Sequence, residues 1–220
     1  MTAIGALSRL QALFFGDRHS RKITLYMLAM RCRGIDLSGA SEESLGLSKE
    51  RSYRCGNSGG PDLDVVLGTL AISADDAVLD VGCGKGGAMI TLAKYPFSRI
   101  DGLEISPKLV AMTKKHLHRS GAGRGSIFCC DAAYFSDLDR YTFIYTYNPF
   151  PALVFRPFLD NLMQSLARHP RKLTFVYKNA ECEDMLLGAG FRKTGEFDHD
   201  SPRLFCVYEI DSRNSAAPAT

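Results

Sequence analysis

The spacing of apolar residues along the chain changes character at about residue 77. Before that point apolar positions recur at helical intervals. Ile4, Leu7, Leu10 and Phe14 predict a helix over Ile4–Phe15, and Ile23–Arg31 (ITLYMLAMR) predicts a second. Residues Gly34–Gly60 are rich in Gly and Ser and end in the turn-forming run Cys-Gly-Asn-Ser-Gly-Gly-Pro, which reads as a loop. Pro61 suits the first turn of a helix over Pro61–Leu70. From Ala77 onward, short apolar runs alternate with amphipathic stretches. The expected strands are Ala77–Val81, Ser98–Glu104, Ser126–Cys130, Phe143–Tyr147, Leu173–Lys178, Phe191–Phe197 and Arg203–Ile210. The expected helices between them are Gly87–Tyr95, Lys108–Ser120, Phe155–Arg168 and Glu183–Ala189.

Strands that alternate with helices predict an α/β fold, a mostly parallel sheet with helices on both faces. The last two strands are close in sequence and are expected to form an antiparallel pair at one edge. The 220 residues fit a single domain in three parts. Residues 1–60 are a helical and loop segment expected to cover the active site, 61–211 are the α/β domain, and the small, polar tail Ser212–Thr220 is expected to be disordered.

Composition narrows the picture only slightly. A net charge of +3 gives no broad electrostatic footprint for nucleic acid, which is possible as a partner but not indicated. The surplus lies in Met1–Gly60, with nine Lys/Arg against five Asp/Glu; such a face contacts an anionic partner or is simply solvated. Seven scattered cysteines without a C-x-x-C pair point to a reduced, intracellular chain, expected in the cytoplasm. No apolar run approaches the roughly 18 residues that a membrane span requires. Met1–Lys22 mixes apolar residues with arginines as a transit peptide does, but it contains Asp17 and few serines, and a helix packed on the domain is the better reading.

In open parallel sheets, ligands bind beyond the carboxyl ends of the strands, so residues just after each strand are the candidates for chemistry. The first candidate is Val78–Gly87, VLDVGCGKGG, in which Gly82, Gly84 and Gly87 match G-x-G-x-x-G. Asp80 ends the strand two residues before the first glycine. A carboxylate there would repel the pyrophosphate of a dinucleotide but suits the ammonium and sulfonium charges of S-adenosylmethionine. The alternatives are a structural turn or a nucleotide loop. The second candidate, Glu104, follows Asp80 by 24 residues (104 − 80) and is placed to accept from two ribose hydroxyls, or else to cap the helix at Pro107. Asp101 competes with it but lies inside the strand. The third is Asp131, whose carboxylate would accept from an adenine amino group while the Ala132 N–H donates to a ring nitrogen; an Asp after a strand is also a common turn residue. The fourth is Asn148–Pro151, NPFP, where the transferred methyl would face and Asn148 would accept an amine N–H, unless Asn-Pro merely ends the strand. Tyr145 and Tyr147 share one side of that strand, where core packing is favoured over pocket lining.

In this order Asp80 with its glycine loop, Glu104, Asp131 and Asn148–Pro151 resemble the successive motifs of class I S-adenosylmethionine-dependent methyltransferases over roughly Pro61–Ile210. The chain looks like small members with an NPF-type fourth motif. The resemblance implies a seven-stranded sheet in the order 3-2-1-4-5-7-6, with S-adenosylmethionine bound by Asp80, Gly82, Cys83, Gly84, Gly86, Glu104, Ile105, Asp131, Ala132 and Asn148. Catalysis would fall to Asn148 and Pro149. NPFP is also similar to the N/D-P-P-Y/F motif of enzymes that methylate planar nitrogens, except that Phe150 replaces the second proline and Pro151 the stacking aromatic.

Methyl transfer is an in-line displacement for which the protein supplies alignment and desolvation. Hydroxyl acceptors usually need a base or a metal. His116 and His118 lie on the helix after the second strand and point away from the methyl; His19, His169 and His199 have no placed partner; no metal-ligand spacing occurs. Nitrogen is therefore the expected acceptor atom, in a protein side chain, a nucleobase or a small amine. O-methylation of a small molecule, a NAD-dependent oxidoreductase and a non-catalytic cofactor-binding subunit are the alternatives. Tyr53, Asn57 and Ser58 are expected to close over the methionine moiety from the N-terminal side.

Overall fold

A computed structural model describes residues 17–198 and 204–215. The predicted helix over Ile4–Phe15 and His199 lie outside these residues. Helix α1 (Arg18–Cys32) begins five residues before the expected start because Asp17 caps it, its side chain accepting from the Ser20 N–H at 2.7 Å. The following loop contains one short helix, α2 (Glu42–Leu45), and a two-residue bridge between Ala40 and Cys55. Helix α3 (Pro61–Leu67) starts, as expected, at its proline.

The α/β part runs β1 (Ala77–Val81), α4 (Gly87–Leu92), β2 (Arg99–Glu104), α5 (Pro107–Ser120), β3 (Ile127–Cys129), β4 (Phe143–Tyr147), α6 (Ala152–Arg168), β5 (Lys172–Lys178), α7 (Glu183–Gly188), β6 (Arg192–Phe197) and β7 (Phe205–Asp211). The strands form one sheet in the order β3-β2-β1-β4-β5-β7-β6. All neighbours are parallel except β7, which is inserted antiparallel between β5 and β6. Ser212–Ser215 wind into a short 3-10 turn, so the first part of the expected disordered tail is ordered: the Ser212 N–H donates to Arg171 O and holds the end of β7 beside the start of β5.

Side chains alternate between two cores, as the strand period requires. Leu79, Val81, Ile144, Phe175, Tyr177 and Tyr208 pack under α6 and α7. Val78, Ile100, Phe143, Tyr145, Val176 and Val207 pack under α1, α3 and α4. Every residue of β1 is buried, the signature of a central parallel strand covered on both faces. The chain crosses from one side of β1 to the other between β3 and β4, which opens a crevice at the carboxyl ends of β1, β2 and β4.

Asp101 resolves its competition with Glu104 in favour of structure. It is fully buried on the α6 side of β2, where it accepts from the Ser126 N–H (2.6 Å), Arg99 Nε (2.5 Å) and the Tyr141 hydroxyl (2.7 Å). These bonds tie β2 to the segments entering β3 and β4. Replacing one member of such a network leaves the others buried without an acceptor. Asp101→Ala is therefore expected to lower unfolding stability by about 3 kcal/mol, read as a lower urea midpoint with an unchanged slope; an unaltered midpoint would contradict this role.

Candidate active site

The crevice is a cleft of about 880 Å³ including its open mouth, within the roughly 300–1,000 Å³ usual for small-molecule sites. Its floor is the glycine loop after β1. Gly82 and Gly87 both stand where a side chain has no room: a Cβ on Gly82 would lie 2.3 Å from Pro149 Cβ, and one on Gly87 would lie 2.0 Å from Asn57 Oδ1. The glycines of the G-x-G-x-x-G pattern thus let other segments of this chain approach as well as leaving room for a ligand.

Of the candidate residues, Asp80, Gly82, Cys83, Gly84, Glu104, Ile105, Asp131, Ala132 and Pro149 line one cleft. Gly86 does not. It adopts a left-handed conformation (φ 80°) as the cap of α4, and its α-carbon faces Thr113 of α5. Asn148 is also turned away. Its backbone is left-handed (φ 32°), its side chain is buried, and its Oδ1 accepts from the Tyr177 hydroxyl at 3.1 Å on the α6 side of the sheet. The neighbouring Pro149 carbonyl accepts from the Tyr53 N–H at 2.8 Å. Both acceptors of the fourth motif are thus engaged within the protein. Phe150 lines the cleft while packing against Phe155, with ring centroids 6.4 Å apart, and Pro151, where the planar-nitrogen motif has an aromatic, caps α6. Tyr147 lines the cleft, while Tyr145 is core, its hydroxyl directed at Ser58 O.

Two carboxylates dominate the electrostatics. Glu104 is buried and held by two backbone donors, Gly84 N–H at 3.0 Å and Ser106 N–H at 2.9 Å. Burial raises its pKa, and these hydrogen bonds oppose the rise. Asp80 has no such support. It is 2% exposed, and its Oδ2 finds no hydrogen-bond partner among the described residues. Desolvation, and then the negative charge of Glu104, push its pKa well above the ordinary carboxylate value. A buried, orphaned carboxylate beside a second one is a site for a cation that the protein itself does not supply. Asp131 differs: its Oδ2 is already held by Arg51 Nε (3.0 Å) and Nη2 (2.5 Å), while its Oδ1 accepts from Ala133 N–H at 3.0 Å.

The roof is the segment between Ile35 and Gly60, and it carries the contributions that sequence reasoning missed. Arg51 binds Asp131, Cys55 faces the glycine loop, and Lys85 Nζ reaches Asp36 Oδ2 (3.5 Å) and Ser38 Oγ (3.4 Å). Burial pushes the Cys55 thiol up to about 11, which keeps it neutral and unreactive at physiological pH. Tyr53, Asn57 and Ser58 line the cleft. Tyr53 and Ser58 are tied down through their main chains, however, which no side-chain pattern announces. His118 makes no contribution to the cleft, whereas His116 meets its rim from behind. Among the described residues no cluster of His, Cys, Asp or Glu has the geometry to hold a metal ion, and no helix is long and apolar enough to cross a membrane.

Comparison with known proteins agrees with this geometry. Residues 78–172 match the protein-family model described as "Methyltransferase domain". The human protein EEF1A lysine methyltransferase 2 is 27% identical over 108 residues, which cover 49% of this chain and 45% of the human protein, so the likeness spans under half of that relative. Among solved structures, a SAM-dependent methyltransferase from Aquifex aeolicus superposes with a TM-score of 0.55 at 15% identity, covering 68% of this chain and 89% of that one. An RNA methyltransferase from Salinibacter ruber in complex with S-adenosyl-L-homocysteine gives 0.54 at 16% identity, covering 72% and 94%. At these identities the structures share the fold. The chain shares its fold with these structures and carries a methyltransferase-domain match over residues 78–172, which makes S-adenosylmethionine the cofactor to test against the site.

The residues present fit that cofactor, since the orphaned Asp80 and the backbone-held Glu104 suit its positive charge and its ribose hydroxyls. The raised pKa of Asp80 gives a testable sign. Its protonated form favours the folded, ligand-free protein, a contribution present at low pH and lost as pH rises through the raised value. Asp80→Asn is expected to melt about 2–4 °C above wild type at pH 8 without ligand, with the gap closing toward pH 4–5. Its affinity for S-adenosylmethionine should fall roughly 10- to 100-fold, the worth of a charged hydrogen bond. Equal melting temperatures at every pH, together with unchanged affinity, would refute the assignment.

Proposed function

We propose that this chain transfers the methyl group of S-adenosylmethionine to a side-chain nitrogen of a protein substrate, with the lysine amine as the favoured acceptor. The observation that carries the reading is Asp80, a fully buried carboxylate with an unpartnered oxygen at the switch point of the sheet, beside the backbone-held Glu104. When bound, the cofactor supplies an electrophilic methyl group on a sulfonium centre. Asp80, Glu104 and the glycine loop would hold it, and the roof would exclude water from the reacting atoms. Asp131 and Ala132 would face its adenine, with Arg51 sharing the Asp131 carboxylate.

Three features favour an aliphatic amine over the other acceptors. The human relative is by name a lysine methyltransferase. The NPFP segment has Pro151 where the planar-nitrogen motif has its stacking aromatic, and Phe150, which lines the cleft, is buried against Phe155. No histidine stands among the described lining residues to take a hydroxyl proton, Cys55 is held neutral, and the two buried carboxylates are assigned to the cofactor. An amine needs only to arrive unprotonated. Tyr147 at the end of β4 is the aromatic face that such an acceptor would meet.

The test begins with calorimetric titration by S-adenosylmethionine and by NAD(H), on wild type and on Asp80→Ala and Glu104→Ala. Binding of S-adenosylmethionine alone, weakened at least tenfold in both variants, is expected. Cell extract is then incubated with the protein and radiolabelled cofactor, and the labelled product is hydrolysed in acid. Label recovered as methyl-lysine supports the acceptor proposed. Label in RNA, or label lost as methanol under mild base, would replace it with a nucleobase or an oxygen acceptor. Binding of NAD(H) instead of S-adenosylmethionine would end the methyltransferase reading.

A further inference from the structure

His116 sits on α5, on the side of the glycine loop away from the cleft, yet its ring bridges two segments that enclose the cofactor site. Nδ1 lies 2.9 Å from the Lys85 carbonyl of the glycine loop. Nε2 lies 3.3 Å from the Asp36 N–H at the start of the roof. A carbonyl only accepts and an amide N–H only donates, so the pair fixes the ring as the neutral tautomer with its proton on Nδ1. The same junction is closed a second time, because Asp36 accepts from Ser38 N–H (3.1 Å) and Ser38 Oγ (3.0 Å) and meets the Lys85 ammonium. About one turn earlier on the same helix, the Thr113 hydroxyl donates to the Gly84 carbonyl at 2.6 Å. Helix α5 therefore grips the glycine loop and the roof together, and His116 is the residue that touches both.

We infer that His116 is a positioning residue which, as a neutral imidazole, latches the roof over the cofactor cleft, and that its protonation releases the latch. The inference rests on the cleft being the cofactor site. A protonated ring would turn Nε2 into a donor facing the Asp36 N–H, removing the acceptor that holds the roof at its first residue. His116 is 4% exposed, so water cannot replace the lost bond without opening the junction. The charged groups around it are Asp36 from the roof, Lys85 from the glycine loop, Arg33 at the end of α1 and Arg119 on its own helix. Arg33 and Arg119 are engaged with the carbonyls of Ser120 and Gly34, and α4 contributes no charged residue. Burial raises the Asp36 carboxyl, but the Ser38 hydrogen bonds and the Lys85 charge outweigh it and hold its pKa below the ordinary carboxylate value, so Asp36 stays ionised between pH 5.5 and 8.

Two measurements test this. Hydrogen exchange at the Asp36 amide in the ligand-free protein is expected to lose protection, beyond the intrinsic pH effect, as pH falls from 8 to 5.5. This needs no variant and no cofactor, so it stands even if the cofactor reading fails. The second is S-adenosylmethionine affinity across the same range for wild type and His116→Asn, which leaves a donor toward Lys85 but does not titrate. At pH 8 the variant should bind about five- to tenfold more weakly, the worth of one net hydrogen bond, and the gap between the two proteins should narrow as pH falls. The ratio cancels any pH dependence that Asp80 contributes to both. Parallel affinity curves, or an Asp36 amide equally protected at both pH values, would overturn the inference. Complete loss of S-adenosylmethionine binding by wild type itself would instead strike the cofactor assignment.

Discussion

Asp80 and Glu104 end neighbouring strands with their carboxylates buried side by side, and among the described residues no lysine or arginine pairs with either. Glu104 is relieved by two backbone N–H groups, but Asp80 is left with one oxygen unsatisfied. A folded domain of ordinary stability tolerates such a group only at the expense of a few kcal/mol, roughly the scale of a single severe substitution. The sheet around it explains how that tolerance arises. Both core layers run under helices along the full length of β1, and the defect is confined to the strand's last buried turn, at the switch point. The free energy withheld from folding is available to a cationic ligand, which makes the instability of the empty site and the affinity of the filled one two sides of one interaction.

The remainder of the site is arranged about this charge. The glycine loop allows Pro149 and Asn57 to close on it from two directions, so the floor, the end of β4 and the roof meet at van der Waals distance. The roof is held by main-chain bonds at Tyr53 and Gly60, by the Arg51–Asp131 ion pair and by the His116–Asp36 junction, contacts that reach β4, α4, the segment after β3 and α5 in turn. A segment anchored to four separate elements excludes water from the carboxylates and strengthens every electrostatic interaction inside. Its Gly56 lies against the Tyr147 ring, which stands beside the buried ammonium of Lys178, itself 4.5 Å from the Phe205 ring centroid and 5.2 Å from that of Tyr147.

The fourth motif shows how a local pattern and a tertiary environment diverge. Asn-Pro at the end of a strand reads as an amine-binding pair, because a side-chain amide and a carbonyl are the right chemistry in the right place along the chain. In the folded protein the backbone at Asn148 is left-handed and the amide oxygen is held by the Tyr177 hydroxyl on the α6 side of the sheet. The Pro149 carbonyl goes to the roof. The pair thereby becomes a joint between core and roof, and the chemistry of the site rests more heavily on Asp80, Glu104 and the cofactor's own electrophilicity.

Much of this protein was determined by the order of its residues alone. Apolar spacing located every strand and helix of the α/β part to within a few residues, because helix and strand periods are set by local backbone geometry. The acids Asp80, Glu104 and Asp131 were legible because parallel strands deliver their carboxyl ends to one crevice, so a position just past a strand already carries spatial meaning. The exclusion of Asn148 and Gly86 from the cleft, the capture of Asp131 by Arg51 and the meeting of Asp36 with His116 were decided only by the tertiary structure. Each of the last two pairs joins residues 80 positions apart through one or two hydrogen bonds. Contacts of that kind leave no periodicity in the chain: they depend on where a loop without regular structure comes to rest, and that is fixed by packing against the finished domain.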